Sequence, residues 1–147
     1  MRMTIKQATT PDVPTLLDLY RELHPSDPPL PLQNATAVWE QITAQAGRAI
    51  LLAVRDATPA GTADCLVVPN LTRSGRPFMV VENVVVAAAA RRSGVGSALM
   101  AAAVELARES NCYKIQLVTN SRRETTHSFY AACGFKPMAQ GYRLYLT

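Results

Sequence analysis

The chain has 147 residues, of which 48% are hydrophobic and 18% charged, and its formal net charge is +4. This balance predicts a single folded domain over residues 1–147 and excludes a disordered or fibrous chain. Because the three cysteines and two histidines lack metal-ligand spacing, and no apolar run suits a membrane span or signal peptide, we expect a cytoplasmic protein without a metal.

The first half of the chain predicts alternating strands and helices. Apolar residues with helical spacing follow Thr10 and Pro11, which suit the N-cap and the first position of a helix. Four prolines then predict an extended loop, and Asn34 suits the cap of a second helix. The expected bounds are 4–8, 50–54 and 63–68 for strands, 10–23 and 34–46 for helices, 24–32 for the loop and 73–77 for a turn.

The second half predicts a buried strand, a long helix and a short helix. Residues 78–86 are the most apolar run, which favours a central strand, and a long amphipathic helix is expected from Gly94 to about Ser110. A capping box, Ser121-x-x-Glu124, predicts a last helix that ends before Gly134. Further strands are expected at 114–118 and, once or twice, after residue 136. The fold class is therefore mixed α/β.

The loop between the apolar strand and the long helix is the most informative segment. Its sequence is Arg91-Arg92-Ser93-Gly94-Val95-Gly96-Ser97. Glycines allow successive N–H groups to converge on an anion, and a helix N-terminus adds partial positive charge. Two arginines there oppose the helix dipole, which is explained if a diphosphate binds; the alternative is an ordinary loop with solvated arginines. A Walker loop lacks its Gly-Lys-Ser/Thr, and a dinucleotide fingerprint lacks its third glycine, where Leu99 stands.

The segment Arg91-Arg92-Ser93-Gly94-Val95-Gly96 resembles the Arg/Gln-x-x-Gly-x-Gly/Ala signature of the GNAT superfamily of acetyl-CoA-dependent N-acetyltransferases. Phe129-Tyr130, followed by three residues and Gly134-Phe135, resembles that family's late motif. The resemblance extends from about Thr4 to the C-terminus. It implies a single α/β (α+β) domain with a bent, mixed sheet of six or seven strands and about four helices. Strands 78–86 and 114–118 would splay apart to admit coenzyme A.

The resemblance also implies acetyl-CoA as a co-substrate. Backbone N–H groups of residues 91–97 would hold the diphosphate, and backbone groups of Val84 and Val86 would pair with the pantetheine amides. Arg123 stands where many relatives have an asparagine that contacts coenzyme A, and His127 lies one helical turn from Tyr130. The expected cofactor-binding residues are Val84, Val85, Val86, Arg91, Arg92, Ser93, Gly94, Val95, Gly96, Ser97, Arg123, His127 and Tyr130.

Tyr130 is the candidate acid. Transfer to an amine leaves a thiolate, and by the resemblance Tyr130 would face the sulfur and donate a proton or a hydrogen bond to it. The alternative is that Tyr130 only packs with Phe129 and Phe135. Cys133 has no identifiable base beside it, and direct transfer needs no acyl-enzyme, so we do not expect it to be a nucleophile.

Glu82 is the candidate base, because an alkyl amine must lose a proton before it attacks. Glu82 is the one carboxylate in the apolar strand, so we expect it to be buried or half-buried and thereby a better base. The alternative is an ion pair with Arg73 or Arg76. Asn83 is expected to orient the acceptor or to occupy a β-bulge.

The acceptor cannot be identified from the residues alone. By the resemblance the proline-rich loop, with His24 and Asp27, would form one wall of its pocket, although a simple connector is the alternative. A small molecule or a protein could supply the primary amine, and a homodimer is possible. The rival functions are a non-catalytic acyl-CoA-binding or sensor module and a nucleic-acid-binding protein. No aromatic residues interleave with the arginines, which argues against nucleic acid as a partner.

Overall fold

The computed structural model describes residues 2–147, and within them it contains five strands and five α-helices. They form two compact units, of which one ends at Leu117 and the other is Val118–Thr147. The first unit contains β1 (Met3–Gln7), α1 (Val13–Leu23), α2 (Leu32–Ala44), β2 (Arg48–Arg55), β3 (Thr58–Val68), the single turn α3 (Thr72–Gly75), β4 (Phe78–Val86), α4 (Val95–Glu109) and β5 (Ile115–Gln116). The second contains α5 (Glu124–Ala132).

The strands form one mixed sheet in the order β1-β2-β3-β4-β5. The first four pair antiparallel with their sequence neighbours, and β5 runs parallel to β4. A parallel pair needs a long crossover connection, which α4 supplies. The β5 pairing covers only Met79 and Val80 of β4, so the two strands share a ladder at one end alone.

Helices cover both faces of the sheet. On one face α1 and α2 pack against the sheet through a buried apolar cluster that includes Leu16, Trp39 and Leu52. On the other face Val95 and Leu99 of α4 are at most 1% exposed. Both layers exclude water from the sheet, which fixes the end of β4 and the start of α4 relative to each other.

Several predicted boundaries agree with the structure, and two helix starts in the first unit were wrong. β4 occupies the predicted 78–86, and α4 begins directly after Gly94. The residue that precedes α2 is Pro31 rather than Asn34, because the extended Pro31 backbone (φ −58°, ψ 142°) already leads into the helix. A 3₁₀ turn precedes α1, and Thr9 rather than Thr10 precedes that turn, held by a 2.9 Å bond from its N–H to Asp12 Oδ2.

The predicted strand count was too high, since residues 2–147 contain five strands rather than six or seven. Residues 136–147 form no strand, and Tyr142, Leu144 and Leu146 are exposed. Their alternating pattern suits a strand, but a strand also needs a neighbouring backbone to pair with its N–H and C=O groups. β4 is also not the central strand; the middle of the order is β3, and β4 is apolar because helices cover both of its faces.

Gly61 generates a prediction about the layer between β3 and α4. A Cβ atom added there would lie 2.8 Å from the Val85 carbonyl oxygen, 3.1 Å from Val95 Cγ1 and 3.2 Å from Leu99 Cδ1. We expect Gly61→Ala to lower the free energy of unfolding by about 1–3 kcal/mol, the usual cost of overpacking. Urea unfolding followed by circular dichroism measures this change.

Gly141→Ala is the matched control, because an added Cβ meets only Val118 Cγ1 at 3.4 Å, an ordinary contact. Its unfolding free energy should change by less than about 0.5 kcal/mol, as is usual for a surface substitution. Equal losses in the two variants would show that the close approach of α4 to β3 is not the cause.

Candidate functional site

Strand β4 contains a β-bulge at Asn83. Thr62 of β3 pairs with Val85, but Asp64, two residues on, pairs with Glu82, so β4 holds one residue more than β3 in this interval. Asn83 has a φ of 52°, in the left-handed region that asparagine tolerates better than most residues. The position of the bulge agrees with one of the two roles predicted for Asn83.

The bulge changes which edge of β4 each backbone group faces. Near the start of the strand Met79 donates its N–H toward β5, to the Lys114 carbonyl at 3.0 Å. Directly after the strand, Ala87 donates its N–H in the opposite direction, to the Ala60 carbonyl of β3 at 2.8 Å. Because successive groups alternate, the N–H groups of residues 84 and 86 face the β5 edge, beyond the reach of the β4–β5 ladder.

The turn that follows β4 presents further backbone donors. A 3₁₀ turn, Ala88–Ala90, is followed by Arg92 (φ 63°) and Gly94 (φ 83°), both in the left-handed region. No hydrogen bond joins the N–H groups of 92–97 to an acceptor within residues 2–147. Successive N–H groups in such mixed conformations form an anion-binding concavity. A left-handed non-glycine residue costs about 1–2 kcal/mol, a strain typical of functional loops.

The same turn is positively charged. Arg91 and Arg92 are exposed, and neither forms an ion pair with any residue that the structure describes. They lie at the N-terminus of α4, whose dipole repels cations. The Ser93 hydroxyl donates to the Ala90 carbonyl and so closes the loop on itself. The arrangement can bind a group with two or more negative charges, such as a diphosphate.

The expected burial of Glu82 was wrong, because its side chain is exposed. The bulge lies beside it, and only one of the two strand neighbours of β4 reaches this position. Glu82 also forms no ion pair with Arg73, Arg76 or any other residue in 2–147. A role as a base would therefore rest on the accessibility of Glu82 to the acceptor amine, directly or through water.

The buried carboxylate next to Glu82 is that of Asp64 on β3, which the sequence analysis missed. Asp64 is 5% exposed and accepts two hydrogen bonds from Arg48, at 3.0 Å from Nε and 2.6 Å from Nη2. It pairs across the ladder with Glu82, so the two side chains lie on the same face of the sheet. An aspartate inside the otherwise apolar β3 was the available sequence signal.

Tyr20 of α1 lies close to Asp64 and Arg48. Burial, and secondarily the charge of Asp64, raises the pKa of Tyr20 to about 12, while the nearby Thr62 acts in the opposite direction. The phenol is therefore a hydrogen-bond donor at all physiological pH values. The predicted acceptor residues His24 and Asp27 follow on the exposed loop after α1, linked by a 3.2 Å bond from the Asp27 N–H to the His24 carbonyl.

In the second unit, the predicted capping box at the start of α5 does not form. The N-cap is Arg123, so Glu124 occupies the first helical position instead of the third. Ser121 Oγ accepts the Arg123 N–H at 3.2 Å and donates to Thr126 Oγ1 at 2.9 Å, which organises the turn by a different route. The His127 Nε2 donates to the Ser121 carbonyl at 3.0 Å, so this nitrogen already has a partner.

The late motif around Tyr130 is a helix terminus of the Schellman type. The Phe135 N–H donates to the Tyr130 carbonyl and the Gly134 N–H to the Ala131 carbonyl, both at 3.0 Å. Gly134 has the left-handed φ of 95° that this terminus requires. The Tyr130 ring packs at 5.0 Å from the Phe129 ring and 5.9 Å from the Phe135 ring, between centroids. The motif therefore fixes both the backbone and the ring of Tyr130.

The surroundings of Tyr130 keep its hydroxyl protonated. Burial, and to a smaller extent the neighbouring Cys133, raises the pKa of Tyr130 above the usual 10.0. Burial likewise raises the pKa of the Cys133 thiol, which makes the nucleophilic thiolate scarcer. Within residues 2–147, no three His, Cys, Asp or Glu side chains come together as metal ligands, and no helix is long and apolar enough to cross a membrane.

Comparisons with known proteins bear on both motifs. A model of the acetyltransferase (GNAT) family matches residues 13–135. Glucosamine 6-phosphate N-acetyltransferase 1 of Oryza sativa subsp. japonica is 37% identical over 122 residues, which cover 81% of this chain and 72% of that protein. Glucosamine 6-phosphate N-acetyltransferase of Trypanosoma brucei brucei is 35% identical over 84 residues, 57% of this chain and 55% of that protein.

Among solved structures, a protein of Agrobacterium tumefaciens strain C58, assigned provisionally as an acetyltransferase, is 41% identical and superposes with a TM-score of 0.92. The superposition covers 97% of this chain and 99% of that one. The range that the family model matches contains the turn at 91–96 and the helix terminus at 129–135.

Proposed function

This chain belongs to the GNAT family of acetyltransferases, and we propose that it moves an acetyl group from acetyl-CoA directly to the primary amine of a phosphorylated amino sugar. The observation that carries the proposal is the row of N–H groups at 92–97 without a protein acceptor in the described chain. A diphosphate supplies the acceptors that these donors lack, and its charge offsets the repulsion between the α4 dipole and two arginines.

The open edge of β4 suits the rest of coenzyme A. Pantetheine carries two amide groups along an extended chain, and such a chain pairs with a strand edge as an added strand would. The N–H groups of Val84 and Val86 face the edge that the short β5 leaves free within the first unit. Val85 packs into the core and pairs with Thr62, which holds the edge in place.

Two side chains would handle the protons. Bound acetyl-CoA supplies an activated thioester, and the departing sulfur needs a proton or a hydrogen bond, which the protonated Tyr130 can donate. The exposed Glu82 carboxylate would accept the proton of the acceptor's ammonium, directly or through water. Each role rests on the residue's own surroundings, since Tyr130 and Glu82 belong to different units of the fold.

The acceptor class rests on the relatives and on charge. Both curated relatives named above act on glucosamine 6-phosphate according to their names. On the sheet face that Glu82 shares with Asp64, the exposed Glu82 carboxylate lies beside the Arg48–Asp64 ion pair, in which Arg48 is partly exposed. Such a face offers a carboxylate for an ammonium and a guanidinium for a phosphate.

An acceptor panel tests the proposed function. The protein is mixed with acetyl-CoA and one amine at a time, and the released thiol is detected. We expect the highest kcat/KM for glucosamine 6-phosphate and a value at least about tenfold lower for glucosamine, because the phosphate contact is lost. Glucose 6-phosphate, which has no amine, should release no thiol above background. Faster turnover of a peptide amine than of any amino sugar would contradict the acceptor class, and no turnover with any amine would contradict the activity.

Tyr130→Phe tests the acid. We expect kcat to fall by about 100-fold, the lower end of the usual contribution of a general acid, because a thiolate leaves easily. The KM for acetyl-CoA should change little. Tyr142→Phe is the control, since Tyr142 is 91% exposed.

The pH dependence of Tyr130 has a defined sign. An acid acts while protonated, so activity is lost only as the pH rises through its pKa, which burial raises above 10.0. Ionisation of Tyr130 should therefore not lower kcat at any pH up to about 10. A decline centred below pH 9 that disappears in Tyr130→Phe would show that the pKa is lowered instead.

Glu82→Gln tests the base. We expect kcat/KM to fall by at least about tenfold near pH 7, where the amine is mostly protonated, and the loss to shrink as the pH rises and free amine accumulates. Glu105→Gln is the control, because Glu105 is an exposed carboxylate on α4. A pH profile identical to that of the unaltered protein would assign the base to another residue.

A further inference from the structure

The N–H group of Ala88 is bonded to a side chain that is distant in sequence. Glu22 Oε1, in the last turn of α1, accepts this N–H at 2.8 Å across a separation of 66 residues. Ala88 begins the 3₁₀ turn, and the residue before it, Ala87, has no polar side chain to cap the first N–H. Glu22 therefore caps this turn from another element of the first unit.

The bond lies immediately before the turn that we propose binds the diphosphate. Ala87 is held to β3 by the 2.8 Å bond from its N–H to the Ala60 carbonyl, and the Ala90 N–H donates to the Ala87 carbonyl at 2.8 Å. The N–H groups of 92–97 have no comparable attachment within the described chain. Packing of α4 against the sheet directs the N–H groups of 95–97, whereas those of 92–94 depend on the short segment 88–91, of which Glu22 fixes the first residue.

The negative charge of Glu22 would by itself weaken the binding of a diphosphate to the neighbouring turn. A carboxylate repels a phosphate, and Glu22 forms no ion pair with any residue in 2–147 that would neutralise it. Its bond also removes the Ala88 N–H from the donors available to an anion. The N–H groups of Ala90 and Arg91 are bonded to the Ala87 and Ala88 carbonyls, so the row of free donors lies on the α4 side of Arg91.

We propose that Glu22 is a positioning residue for the coenzyme A site: its carboxylate holds the Ala88 N–H and thereby orients the N–H groups of 92–94 next to those of the α4 N-terminus. The proposal rests on the proposed function, because it assumes that those groups bind the diphosphate. Glu22 also stands two residues before His24, so the same bond ties the start of the proline-rich loop to the diphosphate turn.

The test measures coenzyme A binding by calorimetry, which does not depend on turnover. Glu22→Ala removes the acceptor, and we expect Kd to rise by about tenfold, as for the loss of a hydrogen bond to a charged group. Glu22→Gln keeps an acceptor oxygen and should stay within about threefold of the unaltered protein. Asp18→Ala is the control, because it removes an exposed carboxylate from the same helix without touching Ala88.

Ala88→Pro removes the donor of the same bond. Proline is well tolerated at the first position of a helical turn, and Ala87 before it already has the extended backbone (φ −53°, ψ 139°) that proline requires. We expect Ala88→Pro to raise Kd by about tenfold, and the double variant with Glu22→Ala to raise it no further, because both changes remove one interaction.

The outcomes separate the two proposals. If the unaltered protein does not bind coenzyme A, the proposed function fails. The positioning role fails if the unaltered protein binds coenzyme A and Glu22→Ala changes the Kd by less than about twofold. It also fails if the double variant raises the Kd by about a hundredfold, the product of two independent tenfold losses. Melting temperatures without ligand should be equal for Glu22→Ala and Glu22→Gln, since Glu22 is exposed, and a large difference would mean that the bond serves stability instead.

Discussion

One extra residue in β4 determines what the sheet offers to a ligand. Without the bulge at Asn83, the alternation of the strand would point the N–H groups of Val84 and Val86 toward β3, where they would be used in the ladder. The bulge also lets Glu82 and Val85, three residues apart, lie on the same face, since both pair with residues of β3 that are two apart. A free strand edge and a carboxylate beside it therefore have a common origin.

The turn after β4 accumulates several unfavourable features that share one explanation. Arg92 adopts a left-handed backbone conformation. Two exposed arginines lie at the positive end of the α4 dipole. A row of N–H groups also lacks a protein acceptor in the described chain. Each would cost stability in a structural loop. A multiply charged anion relieves the last two, and the strain is tolerated because Glu22 and the sheet fix the segment that leads into the turn.

Sequence alone predicted the elements whose signals are local. The bounds of β4 follow from an apolar run after Pro77, and the Tyr130-to-Phe135 spacing follows from a helix terminus whose geometry needs a glycine at one position.

Burial of carboxylates was not predictable in this way. Glu82 and Asp64 are each isolated in an apolar strand, but only Asp64 is buried, because strand register places Arg48 within reach of it. Register depends on pairing across the sheet, which one strand's sequence does not encode.

Tyr130 and Glu82, the proposed acid and base, differ in burial, and this difference suits their roles in acetyl transfer. Burial between aromatic rings disfavours the phenolate of Tyr130, so this residue keeps a proton to donate. Glu82 is exposed, so its carboxylate is accessible to an ammonium group that approaches the strand. The exposure of Glu82 contradicts the expectation of a buried base, but it is compatible with the proposed chemistry, because an acceptor bound over the strand would itself exclude water from the carboxylate.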